Sequence, residues 1–288
     1  MNEPGIDLTT LGVSQDTQPN GAPIDLAPWL RWVGHGGYVA EGVVYVLIGA
    51  FALVAALEPA QPNGPKGAFA KLAAAPYGHA MLALLALGLA AFVLWQGVLG
   101  ILDPEHRRNR RTIKRRAVRV GCLLNGALHG VLVGEAAWLL LGFGGSPDHG
   151  RSQAVWTGRA MELPLGRWVI AATGVGIAIF GLFQWYRAVS RNKTNRVDLT
   201  HTRLRGLIIA LGIFGFLARG VLFVLIGVLL IDAARRYDAA NAAGIAGALN
   251  ALRRQEYGHW QLGAVAAGLI SYGVFQIIKE PYRNFHAS

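Results

Sequence analysis

Two segments of this chain, GYVAEGVVYVLIG at residues 37–49 and GFLARGVLFVLIG at residues 215–227, repeat one apolar phrase. Each copy carries a charged residue at the same position, Glu41 in the first and Arg219 in the second. The two charges are opposite, and both lie inside long apolar runs. The pattern therefore predicts an internal repeat in an apolar environment, in which repeat symmetry relates two charged side chains.

The apolar runs are long enough to cross a lipid bilayer as helices. The 288 residues are 53% hydrophobic and only 15% charged, whereas a soluble domain has about 25% charged residues. A membrane-spanning helix needs about 20 apolar residues, and a soluble helix would show one polar face. Six stretches qualify: roughly 33–57, 79–102, 117–142, 165–187, 205–231 and 259–279. The sequence thus predicts an all-α, six-helix transmembrane bundle.

Basic residues concentrate in two connections between these stretches. RRNRRTIKRR occupies residues 107–116, and further Lys and Arg lie between residues 187 and 205. By the positive-inside rule both connections are cytoplasmic, so six crossings place the N and C termini in the cytoplasm. We therefore predict a multi-pass protein of the bacterial cytoplasmic (inner) membrane. The net charge of +11 could suggest nucleic acid, but the concentration of basic residues in these two connections argues against it.

The basic connections also suggest a partner. Anionic lipid headgroups attract clustered Lys and Arg at a membrane surface, so the lipid bilayer itself is the expected partner. A specific lipid or a regulatory protein is the alternative, and a homo-oligomer is compatible with either interpretation.

A second phrase shows that the repeat has three copies. It begins with glycine, and another glycine, an aromatic residue and a glutamine follow at fixed spacing. The three copies are Gly78, Gly88, Phe92 and Gln96; Gly166, Gly176, Phe180 and Gln184; and Gly258, Gly268, Tyr272 and Gln276. The odd-numbered helices align on Gly37, Gly121 and Gly215. We therefore predict three tandem pseudo-symmetric helical hairpins at residues 29–106, 107–200 and 201–288, after a polar, mobile tail at 1–28.

These phrases resemble a bacterial membrane family known as domain of unknown function 1206. The resemblance rests on Ala218-Arg219-Gly220 and on the Gly-x3-aromatic-x3-Gln phrase of the partner helix. It covers nearly the whole chain after residue 29. The family phrase has arginine before the glycine, whereas the first and second copies here have Glu41 and Asn125. The resemblance implies the tandem-hairpin fold and no activity.

Six polar side chains are expected at one level of the membrane. Helical rise of ~1.5 Å per residue places Glu41 and Gln96 at similar depths from the cytoplasmic side. The repeat extends this level, which we call the polar layer, to Glu41, Asn125, Arg219, Gln96, Gln184 and Gln276. An unpaired charge at a helix centre costs about 2.5–3.5 kcal/mol, so we expect Glu41 and Arg219 to neutralise each other.

Two other groups of side chains are candidate sites. The residues Cys122, Asn125 and His129 share one face of the third helix, and Glu135 lies on another face without an obvious partner. Glu135 is therefore either a proton-carrying carboxylate or an interior glutamate that bonds a neighbouring helix. A candidate outer vestibule consists of His79, Arg167 and His259, which open the even-numbered helices.

The sequence contains no nucleophile pairing, phosphate-binding glycine loop, zinc spacing or cofactor fingerprint. We therefore expect no cofactor and no metal, and we do not favour an enzyme. The favoured function is binding or passage of a small ion, proton or polar solute through the polar layer. The alternative is a non-transporting membrane scaffold, or a lipid- or partner-binding protein, in which the layer is structural. An open polar cavity would favour transport, and a sealed bundle would favour the scaffold.

Overall fold

The computed structural model describes residues 28–58, 62, 64–101, 113–143, 157–189, 205–238 and 244–279. Most of the predicted N-terminal tail and of the two basic connections lies outside these residues. The described chain is helical and contains no strand. Its helices are α1 (Pro28–Leu57), α2 (Pro65–Ala73), α3 (Gly78–Ile101), α4 (Ile113–Leu140), α5 (Gly166–Val189), α6 (Arg205–Arg236), α7 (Ile245–Arg253) and α8 (Gly258–Lys279). A short helical segment also covers residues 157–162.

Six of the described helices, α1, α3, α4, α5, α6 and α8, are long and apolar enough to cross a membrane. Their outward surfaces are apolar as well: Leu84 and Leu87 of α3 are each more than two-thirds exposed. Contiguous exposed apolar surface of this kind is typical of contact with lipid. The prediction of an all-α bundle of six transmembrane helices is confirmed, and the chain is a multi-pass membrane protein.

The helices pack in the order α4, α3, α1, α8, α6, α5. The second long helix of each repeat packs against the first helix of the next repeat, so α3 contacts α4, α5 contacts α6, and α8 contacts α1. Within the first and third repeats, α1 contacts α3 and α6 contacts α8. The main hydrophobic core lies at the centre of this arrangement and includes Val44, Ile48, Leu222 and Leu269.

The middle repeat departs from this symmetry. Its helices α4 and α5 are not packed against each other, although their counterparts in the other repeats are. The glycines show the same difference. A Cβ atom at Gly37 or Gly215 would lie 2.5 Å from the backbone of the partner helix, whereas one at Gly121 would have no neighbour within 4 Å. The ring of six helices is therefore interrupted between α4 and α5.

Two short helices were not predicted from the sequence. The helices α2 and α7 begin 13 residues before Gly78 and Gly258 (78 − 65 and 258 − 245), so they are a further element of the repeat. The chain then reverses tightly, and a Cβ atom on Gly78 or Gly258 would overlap a carbonyl oxygen of the preceding short helix. This close approach explains why each repeat has glycine at the start of its second long helix.

The glycine contacts predict different costs for equivalent substitutions. Gly215→Ala places a methyl group 2.5 Å from the Tyr272 backbone, and we expect this overpacking to lower the free energy of unfolding by about 1–3 kcal/mol. Gly121→Ala is the matched control, because its methyl group enters open space. Thermal unfolding in detergent checks both. Equal destabilisation by the two substitutions would contradict the open middle repeat.

Candidate functional site

A buried ion pair and its hydrogen bonds join the three repeats at the centre of the bundle. The Arg219 Nη2 atom on α6 lies 3.3 Å from Glu41 Oε1 on α1, and each residue is 1% exposed. The same nitrogen donates a hydrogen bond of 3.1 Å to Asn125 Oδ1 on α4. Its neighbour Nη1 donates to the Tyr272 hydroxyl on α8. One guanidinium group therefore binds side chains from α1, α4 and α8.

The Glu41 carboxylate is held by several donors besides Arg219. The Tyr272 hydroxyl donates to Oε1 at 3.1 Å, and Gln276 Nε2 donates to Oε2. Lys279 Nζ in turn donates to Gln276 Oε1. Both carboxylate oxygens are thus hydrogen-bonded, which offsets part of the large desolvation cost of a buried charge.

Aromatic rings surround the Arg219 guanidinium group. Its central carbon lies 4.7 Å from the ring centroid of Tyr272 and 4.9 Å from that of Tyr45. The rings of Phe223 and Phe180 follow at 5.3 and 6.0 Å. A desolvated cation–π contact contributes about 2 kcal/mol, so the cage also offsets the cost of burying the cation.

Tyr45 and Phe223 were not predicted as site residues, because both have the sequence pattern of ordinary core residues. A signal was nevertheless present in the repeat. The side chains of Tyr45, His129 and Phe223 stand four residues after Glu41, Asn125 and Arg219 respectively. A spacing of four residues places each ring above the polar side chain of its own helix.

His129 is buried beside the ion pair. Its Nδ1 atom lies 2.8 Å from the backbone carbonyl oxygen of Asn125, and its Nε2 atom lies 3.8 Å from Glu41 Oε1. The ring also contacts Phe92 at a centroid distance of 4.6 Å. No hydrogen-bond partner is present for Nε2 among the described residues.

The structure joins four members of the polar layer directly: Glu41, Asn125, Arg219 and Gln276. The other two are also buried but bond elsewhere. Gln96 accepts a hydrogen bond of 3.5 Å from the Tyr38 hydroxyl, and Gln184 accepts one of 3.3 Å from Arg187 Nη1.

Of the second group of candidates, His129 lies at this centre, whereas Glu135 bonds elsewhere. Glu135 forms an ion pair with Lys66 of α2, and the two side chains are 30% and 23% exposed. The structure thus gives Glu135 a partner that its sequence context did not indicate, because α2 was not predicted. Cys122, the single cysteine of the sequence, is partly buried.

The vestibule candidates His79, Arg167 and His259 are all exposed at the starts of α3, α5 and α8. His259 Nδ1 lies 3.0 Å from the carbonyl oxygen of Ala56, which connects α8 to the end of α1. No three His, Cys, Asp or Glu side chains converge in a way that could hold a metal ion within the described ranges.

Loss of one partner from the buried ion pair should be costly. Arg219→Gln leaves Glu41 buried without its cation, and we expect the free energy of unfolding to fall by about 3–5 kcal/mol. The double variant with Glu41→Gln removes both charges and should recover part of this loss. Lys66→Gln is the control, because its partly exposed ion pair with Glu135 should contribute about 1 kcal/mol or less. Chemical or thermal unfolding in detergent provides the measurement, and a double variant that is no more stable than the single one would argue against the pair.

Comparison with known proteins gives a family. The model of Domain of Unknown Function (DUF1206) matches the chain in three segments, residues 36–103, 120–191 and 214–279. The Uncharacterized protein YxxB of Bacillus subtilis (strain 168) is 30% identical over 260 residues, which cover 89% of this chain and 92% of the relative. No solved structure matches the chain. The three matched segments each contain one pair of long helices and one copy of the repeat, and the chain belongs to the DUF1206 family.

Proposed function

We propose that this protein passes protons or small ions through the polar layer, with Glu41 and His129 as its proton-binding groups. The observation that carries the proposal is the approach of His129 Nε2 to Glu41 Oε1 at 3.8 Å. Because a backbone carbonyl can only accept, the contact with Asn125 assigns the ring hydrogen to Nδ1. The neutral ring then presents a hydrogen-bond acceptor to a carboxylate. A proton between the two acceptors would convert this unfavourable contact into a hydrogen bond.

The charged neighbours of His129 affect whether its ring binds such a proton. Glu41 on α1 favours a positive His129, whereas Arg219 on α6 opposes it. The Tyr272 hydroxyl on α8 donates to the same carboxylate oxygen, and Lys279 is linked to the carboxylate through Gln276. The α3 residue in contact with the histidine ring is Phe92. A proton on His129 would therefore compete with Arg219 for the same carboxylate oxygen.

The interruption of the helix ring supports passage over a purely structural role. In the first and third repeats the backbones of facing helices are in close contact at Gly37 and Gly215. In the middle repeat α4 and α5 are apart, and Gly121 and Gly176 have no neighbouring atoms within 4 Å of an added Cβ. These two helices carry polar-layer residues, so the least tightly packed part of the ring borders the proposed site.

Orientation and membrane are part of the proposal. The basic connections favour the bacterial cytoplasmic membrane with both termini in the cytoplasm, and they supply cations for anionic headgroups. Labelling of single cysteines with an impermeant maleimide in right-side-out vesicles tests this in a Cys122→Ser background. Asn109→Cys should be protected and Gln255→Cys labelled. The reverse pattern would contradict the topology.

Proton flux in proteoliposomes, followed with a trapped pH-sensitive dye, tests the proposed function. We expect wild-type vesicles to equilibrate an imposed pH difference faster than protein-free vesicles. His129→Phe installs the residue that the third repeat has at Phe223, so it should abolish the flux while the protein remains folded. His79→Gln, an exposed histidine, is the matched control and should retain the wild-type rate.

Wild-type flux no faster than in protein-free vesicles would overturn the proposal and favour the membrane scaffold. Flux that is equal in wild type and His129→Phe would contradict the assignment of His129 while it preserved a passage.

A further inference from the structure

We propose that a small monovalent anion binds between α5 and α6, held by Gln184, Arg187 and Arg219. This site goes beyond the proton site, because it uses the Nε atom of Arg219, whereas Glu41 pairs with Nη2, and it adds two residues of α5. The first observation is a set of three buried nitrogen atoms without a hydrogen-bond acceptor: Gln184 Nε2, Arg187 Nε and Arg219 Nε. All three are donors, and buried donors without an acceptor are rare and costly in folded proteins.

The three donors border one part of the interface between α5 and α6. The helices are in close backbone contact at Gly181 and Gly220, and Trp185 Nε1 donates a hydrogen bond of 3.0 Å to the Leu217 carbonyl oxygen. Gln184 and Trp185 are consecutive, and Leu217 lies two residues before Arg219. These contacts fix the backbones of α5 and α6 next to Gln184 and Arg219.

Contacts with two aromatic rings place the guanidinium groups of both arginines at the interface of α5 and α6. The Arg187 guanidinium carbon lies 4.6 Å from the ring centroid of Phe216 on α6. The Arg219 guanidinium carbon lies 6.0 Å from the ring of Phe180, one helical turn before Gln184 on α5. Each arginine thus packs on an aromatic residue of the opposite helix.

In the third repeat, the equivalent glutamine amide has an acceptor within the protein. Gln276 is the counterpart of Gln184, and its Nε2 atom donates to the Glu41 carboxylate of the adjoining helix. Lys279 is the counterpart of Arg187, and it also donates to the glutamine oxygen. Its ammonium group lies 5.0 Å from the ring of Tyr38, which is the counterpart of Phe216.

The interface of α8 and α1 and the interface of α5 and α6 differ in whether the protein supplies an acceptor for the glutamine amide. Where α1 offers the Glu41 carboxylate to Gln276, α6 offers Arg219, which can only donate. The helix α5 contains no acidic residue, and the one acid of α6, Asp232, pairs with Arg236. An anion from outside the chain would take the place that the carboxylate takes at the equivalent interface. The excess of cations favours a negative ligand, and the buried position favours a small one with a single charge.

Anion binding is measured on the purified protein in detergent by isothermal titration calorimetry with sodium bromide and sodium nitrate, at constant ionic strength with sulfate. We expect saturable binding to the wild type. Gln184→Leu removes one donor to a charged ligand, so its dissociation constant should rise about tenfold or more. Gln96→Leu is the matched control, because it alters the equivalent glutamine at the interface of α3 and α4, and it should bind as the wild type does.

Arg187→Leu keeps the proposal testable if Gln184→Leu does not fold, because the first repeat already has leucine at the equivalent Leu99. It should weaken anion binding to a similar extent. Absence of saturable binding to the wild type would overturn the proposal, and so would equal affinities in Gln184→Leu and Gln96→Leu. His129→Phe should bind the anion as the wild type does. The anion site and the proton site are therefore tested independently.

Discussion

The buried ion pair of Glu41 and Arg219 is the constraint on which the centre of this protein depends. A charge in a medium of low dielectric constant costs several kcal/mol even after relaxation, and this bundle buries two of them almost completely. The surrounding sequence offsets that cost with the Tyr272 hydroxyl, the Gln276 amide and the aromatic cage. Close helix contacts at glycine bring these groups within range. The aromatic and glutamine residues of the third copy, Tyr272 and Gln276, thus serve one electrostatic requirement.

Divergence at one repeated position gives each interface between repeats a different chemistry. Each interface pairs a glutamine of one helix with the residue before the second glycine of the next. At the interface of α8 and α1 this is an amide donor with a carboxylate, and the pair is satisfied. At the interface of α5 and α6 it is an amide donor with a guanidinium donor, and the amide nitrogen has no acceptor. The same backbone geometry therefore produces a satisfied hydrogen bond at one interface and an unsatisfied amide beside a cation at the other.

The sequence predicted the fold well because membrane helices leave a strong local signal. The predicted stretch 259–279 differs from the helix Gly258–Lys279 by one residue, and the repeat placed Glu41 and Arg219 together from nearly 180 residues apart. Side-chain partners were harder to predict. The bond of Glu135 with Lys66 depends on α2, which is too short to register as a membrane span. The open middle repeat was not predictable, since Gly121 and Gly176 match the repeat pattern although they lack its contacts.

The gap between α4 and α5 lies beside some of the bonds to the charged centre and away from others. The strongest set of contacts to Glu41 comes from α6 and α8, and α8 packs against both α6 and α1. The groups on either side of the gap, Asn125 and His129 on α4 and Gln184 on α5, make fewer bonds to the charged centre. A movement of α4 or α5 would therefore break the Asn125 bond or change the surroundings of Gln184 without separating the ion pair. The bundle thus combines a charged centre on α1, α6 and α8 with two helices, α4 and α5, each of which packs on one neighbouring long helix. In such an arrangement, access to a buried charge can change while the charge itself stays paired.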